Sequence, residues 1–148
     1  MVTTDLMPLD LLYQNDETAW LEAMSALAAE ERLAEMDFRN LAEYLADMAT
    51  RDRREVLSRL VTLLTHLLKW EQQSERRSGS WKGTIREQRR ELRQLFDSGT
   101  LRNHAESVLP DAYAEAREQA ADETLLDVGT FPLANPWSLA EVMDEELS

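Results

Sequence analysis

One fifteen-residue segment near the middle of the chain, residues 56–70, constrains the fold more than any other part of the sequence. Nine of its residues are large and apolar: Val56, Leu57, Leu60, Val61, Leu63, Leu64, Leu67, Leu68 and Trp70. On a helix these side chains cover most of the circumference, which is typical of a helix packed on nearly all sides. We therefore predict a mostly buried central helix near residues 51–73 that anchors the core.

The composition of the 148-residue chain favours helices throughout. Glycine and proline number 4 each, whereas Ala, Leu, Glu and Arg, all good helix formers, are abundant. Cysteine is absent, which excludes disulfides and predicts a reducing, cytoplasmic setting. The N-terminal residues lack the pattern of a signal peptide, and no apolar stretch is long enough to span a bilayer, so we expect no membrane partner.

The apolar periodicity predicts an all-α fold: a single-domain bundle of about five to six helices over residues 1–148. Residues 1–15 are interpreted as an N-terminal segment, and residues 126–137 as an irregular loop before a short C-terminal helix. The other helices are predicted at about residues 16–34, 37–73, 81–97 and 101–125. Residues 37–73 form either one long helix or two helices with a kink near residue 50.

The charge of −13 is unevenly distributed along the chain. Residues 1–50 carry −9, residues 51–102 carry +6 and residues 103–148 carry −10. One interpretation is that the basic middle pairs with the acidic ends inside the fold. The alternative is that the middle segment presents a surface for an anion or a partner.

A line of basic residues follows the predicted helix at 81–97, at spacings of 4, 3 and 4: Lys82, Arg86, Arg89 and Arg93. The next predicted helix carries an acidic line with the same spacings: Asp111, Glu115, Glu118 and Asp122. Because a short turn joins these helices, we expect antiparallel packing with Arg86 near Asp111 and Lys82 near Glu115. The alternative is nucleic-acid binding through this 82–93 basic stripe together with Arg90, which the net acidity of the chain makes an unlikely partner class.

A polar stripe runs along the predicted central helix: Arg59, Thr62, His66, Lys69 and Gln73. It is either the solvated edge of the helix or a proton-transfer or anion site, since His and Lys can both be tuned by their neighbours. Glu43 and Asp47 are the candidate partners for the basic groups of this stripe.

Sequence motifs for catalysis and for metal or nucleotide binding are absent. The chain has two histidines, no cysteine and no phosphate-binding glycine loop, so we expect no metal and no cofactor. These absences favour a protein that is not an enzyme.

Several blocks of sequence carry a resemblance to a known family. They are His66-Leu-Leu-Lys-Trp70, Glu75-Arg-Arg-Ser78, Ser80-Trp81 and Thr84-Ile-Arg-Glu-Gln-Arg89, with weaker blocks at Asp10-Leu-Leu-Tyr13, Asn40-Leu-Ala-Glu43, Thr130-Phe-Pro132 and Asn135-Pro136-Trp137. In these blocks the chain resembles the bacterial family known as domain of unknown function 29. The resemblance implies a helical fold and a bacterial, cytoplasmic origin, and it implies no activity. Family members often have a proline after the first block, where this chain has Gln72-Gln73-Ser74, so we expect a looser connection here.

The resemblance draws attention to one candidate polar locus: His66, Lys69, Trp70, Arg77, Trp81 and Arg86. Its Trp and Arg side chains suit either a packed structural junction or a contact site for a partner. The function is unknown at this stage. The leading hypothesis is a helical interaction or regulatory module that binds a protein partner or forms a homo-oligomer. The alternatives are a small-anion-binding protein or enzyme using His66, Lys69 and Arg77, and nucleic-acid binding through the basic stripe.

Overall fold

The computed structural model describes residues 7–144 and 146–147. Within them it contains six α-helices and no strand, which confirms the all-α prediction. The helices are α1 (Leu9–Asn15), α2 (Glu17–Ala29), α3 (Phe38–Gln72), α4 (Gly79–Leu95), α5 (Gly99–Thr124) and α6 (Leu139–Asp144). Short 3-10 turns lie at Leu33–Glu35, Ser74–Arg76 and Val128–Thr130.

Contacts within the chain divide it into two compact units. Unit 1 is Met1–Ala49 and unit 2 is Thr50–Ser148. Helix α3 contributes residues to both. The organisation of residues 1–148 as a single domain therefore stays a prediction.

Unit 1 is organised around a single tryptophan. Trp20 on α2 is fully buried, and the ring centroids of Tyr13 and Tyr44 lie 4.7 and 5.8 Å from its own. Its indole Nε1 donates a hydrogen bond to Asp37 Oδ2 at 3.1 Å, so the buried polar atom is satisfied. Tyr13 belongs to α1, a helix within the region that we interpreted only as an N-terminal segment; residues 1–6 lie outside the described residues.

Asp37 starts helix α3, as its side chain predicts. Its carboxylate accepts hydrogen bonds from the backbone N–H and the side-chain amide of Asn40, at 3.3 and 2.7 Å. Burial would raise the pKa of Asp37, but the hydrogen bonds from Asn40 and Trp20 outweigh it and lower the pKa below its ordinary value. One carboxylate thus caps α3 and fixes the position of the unit 1 tryptophan.

Helix α3 is one continuous element of 35 residues, which decides between the one-helix and two-helix predictions. Its second half is the central core helix expected for residues 56–70. Val56, Leu60, Leu63 and Leu64 are fully buried there. Thr65, also fully buried, satisfies its hydroxyl by donating to the carbonyl of Val61 at 2.7 Å.

The other helices of unit 2 contribute buried faces to the same core. Helix α5 does so mainly with small side chains, which lets helix backbones approach closely: Ala105, Ala112, Ala116 and Ala120. After α5 the irregular segment is held by Phe131, which is buried, and by a hydrogen bond from Arg117 Nε to its carbonyl at 3.1 Å.

The short helix α6 begins with the predicted capping box. The backbone N–H of Glu141 donates to Ser138 Oγ at 3.1 Å, and the backbone N–H of Ser138 donates to Glu141 Oε1 at 2.9 Å. The backbone hydrogen bond from Ser138 also lowers the pKa of Glu141. Among the described helices, none combines the length and the hydropathy that a membrane crossing requires.

Candidate functional site

Four residues of the candidate polar locus meet in two cation–aromatic contacts within unit 2. The guanidinium carbon of Arg77 lies 4.7 Å from the ring centroid of Trp70, and Arg77 Nε donates to the Trp70 carbonyl at 2.9 Å. Lys69 Nζ lies 4.8 Å from the ring centroid of Trp81. The connection after Gln72, where we expected a looser chain, is thereby attached to α3 through Arg77.

Lys69 is buried, with 9 % of its surface exposed, and its charge is compensated. Its Nζ lies 2.9 Å from Glu123 Oε1 on helix α5. Burial would raise the pKa of Glu123, but hydrogen bonds from Lys69 and Gln119 prevail and lower it. This geometry suits a structural junction between helices better than a cation held ready for a ligand.

The other polar residues of the central helix have local partners. His66 Nδ1 lies 2.8 Å from the Thr62 carbonyl, one turn earlier on α3, so Nδ1 is the donor. Arg59 Nε donates to Glu55 at 2.8 Å, and Arg59 Nη1 donates to Gln88 at 3.1 Å.

The structure gives Arg59 and Lys69 carboxylate partners other than the predicted Glu43 and Asp47. Both predicted residues belong to unit 1, where their charges act on Tyr13. The partner of Arg59 lies one helical turn away on α3, and that of Lys69 lies on a helix distant in sequence. No group of three or more His, Asp or Glu residues in the described part of the chain could hold a metal ion.

Arg86, the remaining residue of the locus, lies in a groove of about 530 Å³ that we call the α4 groove. The groove is lined by basic, aromatic and acidic residues: Trp70, Lys82, Ile85, Arg86, Arg89, Arg93, Asp144, Glu146 and Leu147. All four members of the predicted basic line therefore share one surface. Asp144, Glu146 and Leu147 contribute two acids and a leucine to the same surface.

The basic line contacts helix α6, and the predicted pairing with the acidic line of α5 is wrong. Arg89 Nε donates to the Val142 carbonyl at 2.9 Å, and Arg93 Nη2 donates to the Met143 carbonyl at 3.2 Å. The last carbonyls of a helix lack intrahelical partners and carry partial negative charge, so they attract arginine. Glu115, expected beside Lys82, instead lines a separate cleft with Arg54.

Two further features of the α4 groove concern its binding capacity. Lys82 and Arg86 are exposed, and neither has an ion-pair partner among the described residues. Trp70 Nε1 is buried and has no hydrogen-bond acceptor among them. Beside the groove lies a cavity of about 40 Å³, also lined by Trp70 and by Trp137. The groove thus offers exposed cationic groups to an acidic ligand.

Sequence reasoning found Trp70 and Arg86 but missed the part played by Asp144, Glu146 and Leu147. The available signal was chemical: the sequence has acids at 144, 145 and 146, where a helix with an apolar buried face ends, and their charge is opposite to that of the basic line. We predicted the acidic line of α5 as the partner instead, because it has the same negative charge and its spacing matches that of the basic line.

No curated protein and no solved structure matches the chain. One family model does match, over residues 12–148, and it includes every residue that lines the α4 groove. The description of that family assigns it no function. The match confirms the resemblance stated from the sequence blocks, and the chain belongs to the family described as domain of unknown function DUF29.

Proposed function

We propose that the chain is a protein-interaction module and that a partner protein binds in the α4 groove. The observation that carries the proposal is the composition of the groove, in which four basic side chains and Trp70 share one surface with acidic residues of the chain itself. Tryptophan and arginine are the residues most enriched at the energetic centres of protein interfaces. The presence of Asp144 and Glu146 at this surface supports an acidic partner.

The contacts at the candidate polar locus favour this proposal over an anion-binding enzyme. Lys69 is paired with Glu123, Arg77 is engaged by Trp70, and His66 is bonded to its own helix. Nucleic acid is disfavoured because the chain carries −13.

The partner class includes a second copy of the chain. Residues 1–50 carry −9, a charge complementary to the basic line of the α4 groove. The absence of cysteine supports a cytoplasmic setting for this interaction, and the family resemblance supports a bacterial one.

A peptide with the sequence of residues 138–148, labelled with fluorescein, provides a defined probe for the test. Its binding to the full chain is measured by fluorescence anisotropy at low salt. We expect the double substitution Lys82→Glu and Arg86→Glu to weaken binding by about tenfold or more, because two charges at the groove are reversed.

The matched control is Arg76→Glu with Arg90→Glu, which makes the same change in net charge at exposed residues outside the groove. We expect this control to weaken binding by less than about threefold. Equal losses in both variants, or no binding to the wild-type chain, would overturn the proposal. Binding of a single-stranded oligonucleotide in place of the peptide would establish the nucleic-acid alternative.

A further inference from the structure

We infer that the partner segment for the α4 groove is an acidic, leucine-containing peptide, and that Asp144, Glu146 and Leu147 compete with it for the same surface. This inference rests on the proposed function and specifies the chemistry of the partner. It follows from the contacts that the groove makes with helix α6 and with the described residues after it.

The first step is the recognition of a helix end. Arg89 and Arg93 donate to the carbonyls of Val142 and Met143, which lie in the last turn of α6. Within a six-residue helix no backbone N–H donates to those carbonyls, and they lie at the negative end of the helix dipole. The planar guanidinium group offers several fixed donors for such a target. Arg89 and Arg93 are thereby engaged by α6, so an incoming segment depends on the other two basic residues of the groove, Lys82 and Arg86.

The second step is the weakness of the acidic contact that follows. Arg93 Nη2 lies 3.5 Å from Asp144 Oδ1, and the two side chains are 56 % and 74 % exposed. An ion pair this exposed contributes about 0–1 kcal/mol, because water screens it. Val142 and Met143, by contrast, are buried in the core. A competitor can displace the side chains of Asp144, Glu146 and Leu147 while the buried face of α6 stays in place.

The third step is the excess of positive charge. Among the described residues, four basic residues line the α4 groove against two acids, Asp144 and Glu146. Lys82 and Arg86 are exposed, and neither forms an ion pair with a described residue. An incoming acidic segment can therefore pair with these two cations.

The fourth step is the apolar anchor. Leu147 is half-buried and, like Trp70, packs against the hydrophobic core, and both residues line the groove. A leucine placed after the acids of a partner would occupy the same position.

The competition is tested with the full chain carrying Asp144→Asn and Glu146→Gln. These isosteric changes remove the two charges from the groove while leaving the buried face of α6 intact. We expect the variant to bind the labelled 138–148 peptide about 3- to 10-fold more tightly than the wild type, because the internal competitor is weakened. The matched control is Asp111→Asn with Glu118→Gln, exposed acids of α5 outside the groove, for which we expect less than about a twofold change.

A second peptide, in which every acid is replaced by its amide, tests the partner chemistry. We expect it to lose most of its affinity for the wild-type chain. Unchanged affinity of the Asp144→Asn, Glu146→Gln chain would overturn the competition, yet the proposed function would stand if Lys82→Glu with Arg86→Glu still abolished binding. Equal binding of the acidic and amidated peptides would overturn the acidic partner. Failure of the proposed function itself has a different signature, namely that the wild-type chain does not bind the acidic peptide or that the groove variant and its control lose binding equally.

Discussion

Unit 1 and unit 2 are both helical, yet they differ greatly in how much they bury. Among the described residues, unit 1 buries two apolar side chains, Trp20 and Met24, whereas unit 2 buries nineteen. Unit 1 relies instead on one aromatic cluster and on the hydrogen bonds of Asp37. Regular helices alone therefore do not indicate a large core. The residues that favour helix formation are not the same as the apolar residues that are buried.

The exposed apolar residues show the same asymmetry. Five of the eight large hydrophobic side chains exposed among the described residues belong to unit 1: Met7, Leu11, Leu33, Phe38 and Leu45. The other three lie after helix α5: Leu125, Val128 and Leu133. A region with little buried apolar surface opens at a lower free-energy cost than a region with a large core. We therefore expect unit 1 to be the first part of the chain to lose its structure.

The largest effect is expected for Trp20→Ala. Removing a fully buried tryptophan costs about 3–5 kcal/mol. Among the described residues of unit 1, Met24 is then the one buried apolar side chain that remains. In hydrogen exchange followed by mass spectrometry, we expect the amides of α1 and α2 to lose protection while those of α5 keep it. Equal loss of protection in both units would show that they open together as the predicted single domain.

A somewhat smaller effect is expected for Leu64→Ala in the core of unit 2. The side chain is fully buried, so its truncation costs about 2–5 kcal/mol through lost burial and a residual cavity. Urea denaturation followed by far-UV circular dichroism measures the change in the free energy of unfolding. The matched control is Leu45→Ala on the same helix, 58 % exposed, for which we expect a change within about 0.5 kcal/mol. A large loss in the control would mean that Leu45 is covered in solution.

The smallest effect concerns acid. The pKa values of Asp37 in unit 1 and Glu123 in unit 2 are both lowered by hydrogen bonds that outweigh burial. Such a carboxylate contributes stability above its unfolded pKa, about 3.9 for Asp and 4.3 for Glu, and this contribution is lost as the pH falls through the folded pKa. Asp37→Asn, which keeps a capping oxygen, should flatten the acid dependence of exchange in α2.

Glu123→Gln supplies the counterpart in unit 2. It should flatten the acid dependence of the urea midpoint while leaving the exchange of α2 unchanged. An acid dependence that survives both substitutions would show that other carboxylates govern the loss of stability.

Much of the fold could be predicted because its signals are local. The apolar repeat of residues 56–70 specifies a buried helix, and the Ser138–Glu141 spacing specifies the start of α6. Helix α1 was missed because seven residues are too few for periodicity to be informative. Element type and core position thus follow from neighbouring residues.

The candidate site was predicted only in part because it depends on distant residues. Lys69 and Glu123 are 54 positions apart, and Arg89 and Val142 are 53 apart. The basic line of α4 could face either of two acidic regions, the acidic line of α5 or the acids at the end of α6. The rotation of α4 about its axis decides which of them it contacts. That rotation is set by the packing of Ile85 and Leu92, which a charge pattern does not contain.

Helix α6 has a consequence for the order of folding. A helix of six residues is well below the length at which an isolated helix is stable in water, even with its capping box. Helix α6 therefore depends on the core of unit 2 being assembled first. Leu139 and Val142 are buried in that core, and Arg89 donates a hydrogen bond to the Val142 carbonyl. We expect α6 to be the last helix of unit 2 to form. During refolding, the basic line of α4 is then accessible until α6 packs against it.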